Sequence, residues 1–159
     1  MSEVKRRAVV EPKQHHKRLN HCYTRPAYRN GKKLTAVKVY TINDESQHLL
    51  IFGVPNIKLI EELKRTCFKY GIVKAVKPVR GYPDVEEFTE VYHVHYLKLS
   101  SARFAKRKLD DLSFFGGILH VCYAPELESV EETHEKLIQR RKEVHFKLSK
   151  LKSEGMKNE

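Results

Sequence analysis

Leu49-Leu50-Ile51-Phe52-Gly53-Val54 and Thr89-Glu90-Val91-Tyr92-His93-Val94-His95-Tyr96 decide how this chain folds. Both are short, rich in β-branched and aromatic residues, and bounded by turn or helix signals, as strands are. Pro55 and a helical pattern follow the first, and Ser101-Ala102-Arg103-Phe104-Ala105 follows the second. Strand side chains alternate between two faces. Tyr92, Val94 and Tyr96 therefore share one face of the second strand, and Val91, His93 and His95 share the other. On the first strand, Leu49, Ile51 and Val54 go largely to the core, while Leu50 and Phe52 look the other way.

Working outward, the pattern predicts a helix over Ile57 to Tyr70, with Ile57, Ile60, Leu63 and Cys67 inward and Gly71 as its stop. A strand over Ile72–Pro78 follows, then the loop Arg80–Glu87. The second quoted strand extends over about Phe88–Lys98. A second helix is capped by Ser100, with Ala102, Ala105 and Leu109 inward. Ser113-Phe114-Phe115-Gly116-Gly117 turns into a last strand, Ile118–Tyr123, with Leu119 and Val121 inward and His120 and Cys122 outward. This βαββαβ order resembles an RNA recognition motif, an α+β, ferredoxin-like fold whose two central strands carry base-stacking aromatics. Here Leu50, Val91 and His93 stand where that motif usually places such rings. The face opposite the core is then Leu50, Phe52, Val91, His93, His95, His120 and Cys122. Phe52, His93, His95 and His120 are its candidates for stacking on RNA or bonding base edges. Burial of this face under the N-terminal extension or the C-terminal helix is the competing expectation, because Leu50 and Val91 favour it.

The net charge of +11 is uneven. Residues 1–38 hold 11 Lys and Arg against Glu3 and Glu11, a net of +9; residues 39–159 hold 20 against 18, a net of +2. A basic segment favours polyanions through counterion release. Residues 1–21 are polar and aperiodic and are expected to be a mobile arm. Residues 22–46 read as an ordered extension, with aromatic anchors, a turn at Asn30-Gly31 and a strand over Ala36–Thr41. The domain proper spans 47–125. A helix over 126–153 begins with the capping box Ser129-Val130-Glu131-Glu132, and 154–159 form a tail. Leu137, Ile138, Val144 and Leu148 make an apolar stripe on that helix, which must be buried on the domain or on a partner protein.

Several function classes are disfavoured. There is no Gly-rich phosphate loop, no GxSxG, and no nucleophile spaced from a His and a carboxylate, so a non-enzyme is expected. Cys22, Cys67 and Cys122 suggest neither a disulfide framework nor a zinc ribbon, and favour a reducing compartment. No apolar run reaches the length of a membrane span or of a secretory signal core. His93, His95 and His120 can in principle approach one another, but no carboxylate on that face orients them, and the His15-His16-His21-Cys22 cluster lies in the arm expected to be mobile, so neither metal nor cofactor is expected.

Three segments match something narrower. Tyr23-Thr24-Arg25-Pro26-Ala27-Tyr28-Arg29 with Ala36–Asn43, Phe88–Tyr92, and Ser113–Glu126 together resemble the RNA-binding protein 48 family of the minor (U12-type) spliceosome. The resemblance covers about Cys22 to Leu137. It implies a nuclear splicing factor that works with an armadillo-repeat partner and contacts the 5′ end of U6 small nuclear RNA. Residue chemistry then offers Arg25, Arg29, Lys32, Lys33 and Lys38 as phosphate contacts, and Tyr23, Tyr28 or Phe52 as the stacking ring. The rival hypothesis is a protein-interaction module with the same fold and no RNA. Some such relatives hold a tryptophan through Arg-x-Phe before the last strand. Leu112-Ser113-Phe114 keeps the Phe and lacks the Arg, which speaks against that mode.

Overall fold

The computed structural model describes residues 10–18 and 40–157. Elements follow in the order β1 His48–Pro55, α1 Ile60–Phe68, β2 Val73–Val79, β3 Thr89–Tyr96, α2 Leu99–Leu109, β4 Ser113–Phe114, β5 Gly117–Ile118, β6 His120–Tyr123 and α3 Val130–Met156. β2, β3, β1 and β6 form one antiparallel sheet in that order, while β4 and β5 pair as a separate small hairpin. The βαββαβ order with β3 and β1 in the centre is that of an RNA recognition motif.

The core lies between one sheet face and the two helices. Leu49, Ile51, Val54, Tyr92, Val94, Tyr96, Leu119 and Val121 meet Leu63, Cys67, Ala102, Ala105 and Leu109 there, as alternation predicts. The hydroxyl of Tyr96 donates to the Cys67 carbonyl at 2.8 Å, which satisfies a fully buried phenol. Burial also pushes the thiol of Cys67 up to about 11, and that of Cys122 up to about 12. Both are poor nucleophiles in consequence.

Several element ends differ from expectation for local reasons. α1 begins at Ile60, because Lys58 turns the chain with φ +59, and Ile57 is left exposed rather than inward. Gly71 does end the turn after α1: a Cβ there would come within 2.4 Å of Ser101 Cβ. α2 is capped by Lys98 without a side-chain bond, so Ser100 is not its cap. The expected last strand begins two residues late, since Phe115 and Gly116 take positive φ and fold Ser113–Ile118 into the hairpin.

Residues 128–159 form a second compact unit. Its capping box is present, with Glu132 N donating to Ser129 Oγ at 3.2 Å and Ser129 N to Glu132 Oε2 at 3.1 Å. Lys136 Nζ grips both oxygens of Glu128 at 2.9 and 3.0 Å. α3 runs three residues past the expected 153, to Met156. Leu137, Ile138, Val144 and Leu148 are all exposed along it. Among the described residues no helix is long and apolar enough to cross a membrane.

Candidate functional site

The sheet face opposite the core is divided along its length, and register places its parts. His48 pairs with His95, Leu50 with His93 and Cys122, and Phe52 with His120. At one end the ring of His48 stacks on His95 at 3.9 Å, and its Nδ1 lies 2.8 Å from His93 Nε2. In the middle, Leu50, Val91 and Cys122 are buried. Val10, Val79 and Leu127 pack against the cluster that Leu50 and Cys122 form with Ala124. A continuous base-reading platform over Leu50 and Val91 is therefore closed, and Val10, of the segment expected to be a mobile arm, is among the residues packed there.

The other end is open. Phe52, Tyr82 and His120 form an aromatic group: the Phe52 ring lies 5.0 Å from Tyr82, edge to face, and 5.5 Å from His120. They line a cavity of about 330 Å³ whose other wall is the segment 12–18. The sequence predicts that this segment is part of a mobile arm. Here it makes one 3-10 turn, Gln14–His16, against the sheet. Lys13, Lys17 and Arg18 bring positive charge to the cavity, while Asp84 and Glu86 bring carboxylates. Arg18 pairs with Asp111.

His16 fixes the wall. Its side chain is 1% exposed, and its Nε2 meets Glu126 Oε1 in a short contact. Its Nδ1 lies 3.0 Å from the Tyr82 hydroxyl and accepts from the backbone N–H of Lys13 at 3.3 Å. His120 Nε2–H donates to the His16 carbonyl at 2.6 Å. Burial pulls the imidazole of His16 below its ordinary value; hydrogen bonding and charge from Glu126 oppose this, and His15 and Lys13 add to it. Burial likewise raises the Tyr82 phenol, with Cys122 and Glu126 adding to it.

Asp110 positions His120 from beneath. Its Oδ1 accepts from Val121 N at 3.0 Å and lies 3.6 Å from His120 Nδ1. Burial pushes this carboxyl up, yet His120, the Val121 amide and the charge of Lys106 together bring it below the usual carboxylate range. The net result is a fixed anion that holds the imidazole edge toward the cavity.

Of the residues the sequence singles out, Phe52 and His120 come together in the cavity. His93 and His95 belong to the opposite end, with His48, so the three histidines weighed as a metal group are not gathered at one point. Tyr23, Arg25, Tyr28, Arg29, Lys32, Lys33 and Lys38 lie outside the described residues. So does most of the strand expected over Ala36–Thr41, of which Tyr40 and Thr41 are described, in irregular backbone. Sequence reasoning missed Tyr82, His16 and the basic trio of Lys13, Lys17 and Arg18. The signal for Tyr82 was an aromatic between Gly81 and Pro83 in the loop that faces the open sheet edge.

No protein-family model matches the chain. Among curated proteins, RNA-binding protein 48 of Danio rerio is 54% identical over 132 residues, covering 83% of this chain and 36% of that protein. RNA-binding protein 48 of Homo sapiens is 53% identical over 127 residues, covering 80% of this chain and 34% of that protein. The chain thus spans about a third of the length of these relatives. Among solved structures, the third RNA recognition motif of Pes4 aligns with a TM-score of 0.44 at 18% identity, covering 52% of this chain and 96% of that one. The motif of Rna15 with bound RNA does so with a TM-score of 0.44 at 17% identity, covering 57% and 95%. The fold rests on the strand order and register above rather than on likenesses of that size.

Proposed function

This chain belongs to the RNA-binding protein 48 family over about 80% of its length, and from that premise we propose that it binds RNA and takes the RNA at an end rather than along the sheet. The observation that carries this reading is the cavity at Phe52, Tyr82 and His120, with Lys13, Lys17 and Arg18 on its wall. Stacking rings hold a base, and cations beside them hold its phosphate. A volume of about 330 Å³ sits at the low end of the roughly 300–1,000 Å³ typical of small-ligand sites, which suits a single terminal nucleotide. The closed middle, Leu50 with Val91 and Cys122, leaves no second stacking place beside it for a run of bases.

On this reading the protein is a nuclear pre-mRNA splicing factor of the minor spliceosome. Its RNA is the 5′ end of U6 small nuclear RNA, and an armadillo-repeat protein is its partner. The exposed stripe Leu137, Ile138, Val144 and Leu148 supports a protein partner for α3. Retained partner binding by a Leu137→Asp, Val144→Asp double variant counts against the stripe as that interface.

Fluorescence anisotropy with a short RNA labelled at its 3′ end tests the RNA site. A free 5′ phosphate is expected to bind more tightly than the same sequence with its 5′ end blocked by an added hairpin. Arg18→Ala is expected to flatten the slope of log affinity against log salt by about 0.7, the share of one phosphate on a single strand. Equal affinity for free and blocked ends refutes end recognition. A second reading, an interaction module that binds no RNA, draws on the burial of Leu50, Val91 and Cys122. Complete absence of RNA binding by chain and partner together favours it.

A further inference from the structure

Beside the aromatic rings, the same N-terminal segment and the end of the sheet bring three metal-binding side chains to one point. His15 Nε2 lies 2.9 Å from Glu126 Oε2, and His16 Nε2 meets the other oxygen of that carboxylate. The two imidazoles stand edge to face, 4.6 Å apart. One ligand atom from each of His15, His16 and Glu126 lies within 4.8 Å of the other two. We infer that His15, His16 and Glu126 form a binding site for a divalent transition cation, zinc above all, which staples residues 10–18 to the end of the sheet.

The chemistry fits in four respects. Two imidazoles and one carboxylate are a ligand set used by zinc with a fourth position left open to water or an incoming oxygen. Bonds of about 2.0–2.1 Å in a tetrahedron set ligand atoms roughly 3.3 Å apart, so the three atoms need shifts of only tenths of an ångström to an ångström or so. A ligating imidazole normally gives its other N–H to an oxygen. Tyr82 Oη, 3.0 Å from His16 Nδ1, is placed to accept it once the neutral ring moves its proton from Nε2 to Nδ1 and the Lys13 amide, which donates to Nδ1 in the absence of metal, turns away. The side chains of His15 and Glu126 are 36% and 21% exposed, which gives an ion a way in.

In the absence of metal the same atoms are satisfied as hydrogen bonds from two imidazoles to one carboxylate, so the site is stable in both states. Glu126 lies 110 residues from His16, and a cation between them closes a loop of that length. This inference does not rest on the RNA reading, and its test contains no RNA.

The 159-residue chain, stripped with a chelator and checked for folding by circular dichroism, is titrated with zinc sulfate by isothermal calorimetry. One zinc per chain at micromolar affinity or tighter is expected, and cobalt(II) should give the visible absorption of a four-coordinate site. Glu126→Gln and His15→Ala, both at partly exposed side chains, should weaken zinc binding by about tenfold or more. His145→Ala, an exposed histidine on α3, should leave it unchanged. Zinc should also slow amide exchange over residues 10–18 in the unaltered chain and not in the variants. Zinc binding of equal strength in the Glu126→Gln, His15→Ala double variant places the ion elsewhere and overturns the inference, as does no binding at millimolar zinc.

Discussion

The two faces of the sheet follow different rules. The face against α1 and α2 is uniform: Ile51, Tyr92, Val94, Leu119 and Val121 are all buried in one core. The opposite face changes character twice along β1, from the stacked His48 and His95, through the sealed Leu50, to Phe52 at an open cavity. One face is governed by apolar area, which is non-directional. The other is governed by which segment of chain lies over each row, and that is a matter of topology. The comparison teaches that alternation specifies a core face well and says little about a face whose neighbours arrive from far along the chain.

The sharpest way to break this contrast is to truncate one side chain on each face. Leu63→Ala empties a fully buried position of α1 and is expected to cost about 2–5 kcal/mol by chemical denaturation. Phe52→Ala, at a half-buried position, should cost clearly less stability. Equal losses would mean that the cavity end is as much a part of the core as α1 is. Gly53 lies between the two regimes. It sits at φ +84, and a Cβ there would meet the Ile118 carbonyl at 2.4 Å. Gly53→Ala should therefore destabilise by about 1–3 kcal/mol through backbone strain. An unchanged melting temperature would show that the β4–β5 hairpin moves aside freely.

Within the second face, the comparison is between its ends. Phe52→Ala and Tyr82→Ala should each weaken RNA binding by about 1–3 kcal/mol, the worth of one stacked base. His95→Ala, at the far end, should leave affinity unchanged when measured by the same anisotropy titration. A loss for His95→Ala as large as for Phe52→Ala would return the binding site to the whole sheet.

How much of this was legible beforehand follows from the same contrast. The strand faces, the inner residues Leu63, Cys67, Ala102, Ala105 and Leu109, and the α3 capping box were readable, because each depends on local periodicity or on residues three apart. The early turn at Lys58 and the hairpin at Phe115 were not, since non-glycine residues with positive φ leave no strong mark in a sequence. Phe52 and His120 were found from strand alternation. Tyr82 and His16 were missed because one is carried by a loop and the other by a segment 104 residues away from His120. A polar, aperiodic stretch reads as unstructured until its partner is known. Here the partners are the carboxylate of Glu126 and the imidazole of His120, which donates to the His16 carbonyl, with Val10 packed on the Leu50 cluster.

The weakest expected effect is that of acid on this docking. The imidazole of His16 lies below its ordinary value of 6.5 in the folded chain, chiefly through burial, with the attraction of Glu126 offsetting part of it. The unfolded or undocked segment therefore binds more protons than the docked one as pH falls through 6.5. Docking is fully stable above that pH, weakens as pH drops through it, and levels off below the folded value. Amide exchange over residues 10–18, corrected for its intrinsic pH dependence and measured with chelator present, should quicken across that window. Exchange at the β3 amides of Val94 and Tyr96 should not, because these residues are buried in the core between the sheet and the helices. In His16→Gln the pH dependence of the segment should disappear, as a neutral side chain of similar reach cannot charge. Persistence of the acid effect in that variant would transfer it to His15 or Glu126, and the wall of the cavity would then be held by the exposed pair rather than by the buried ring.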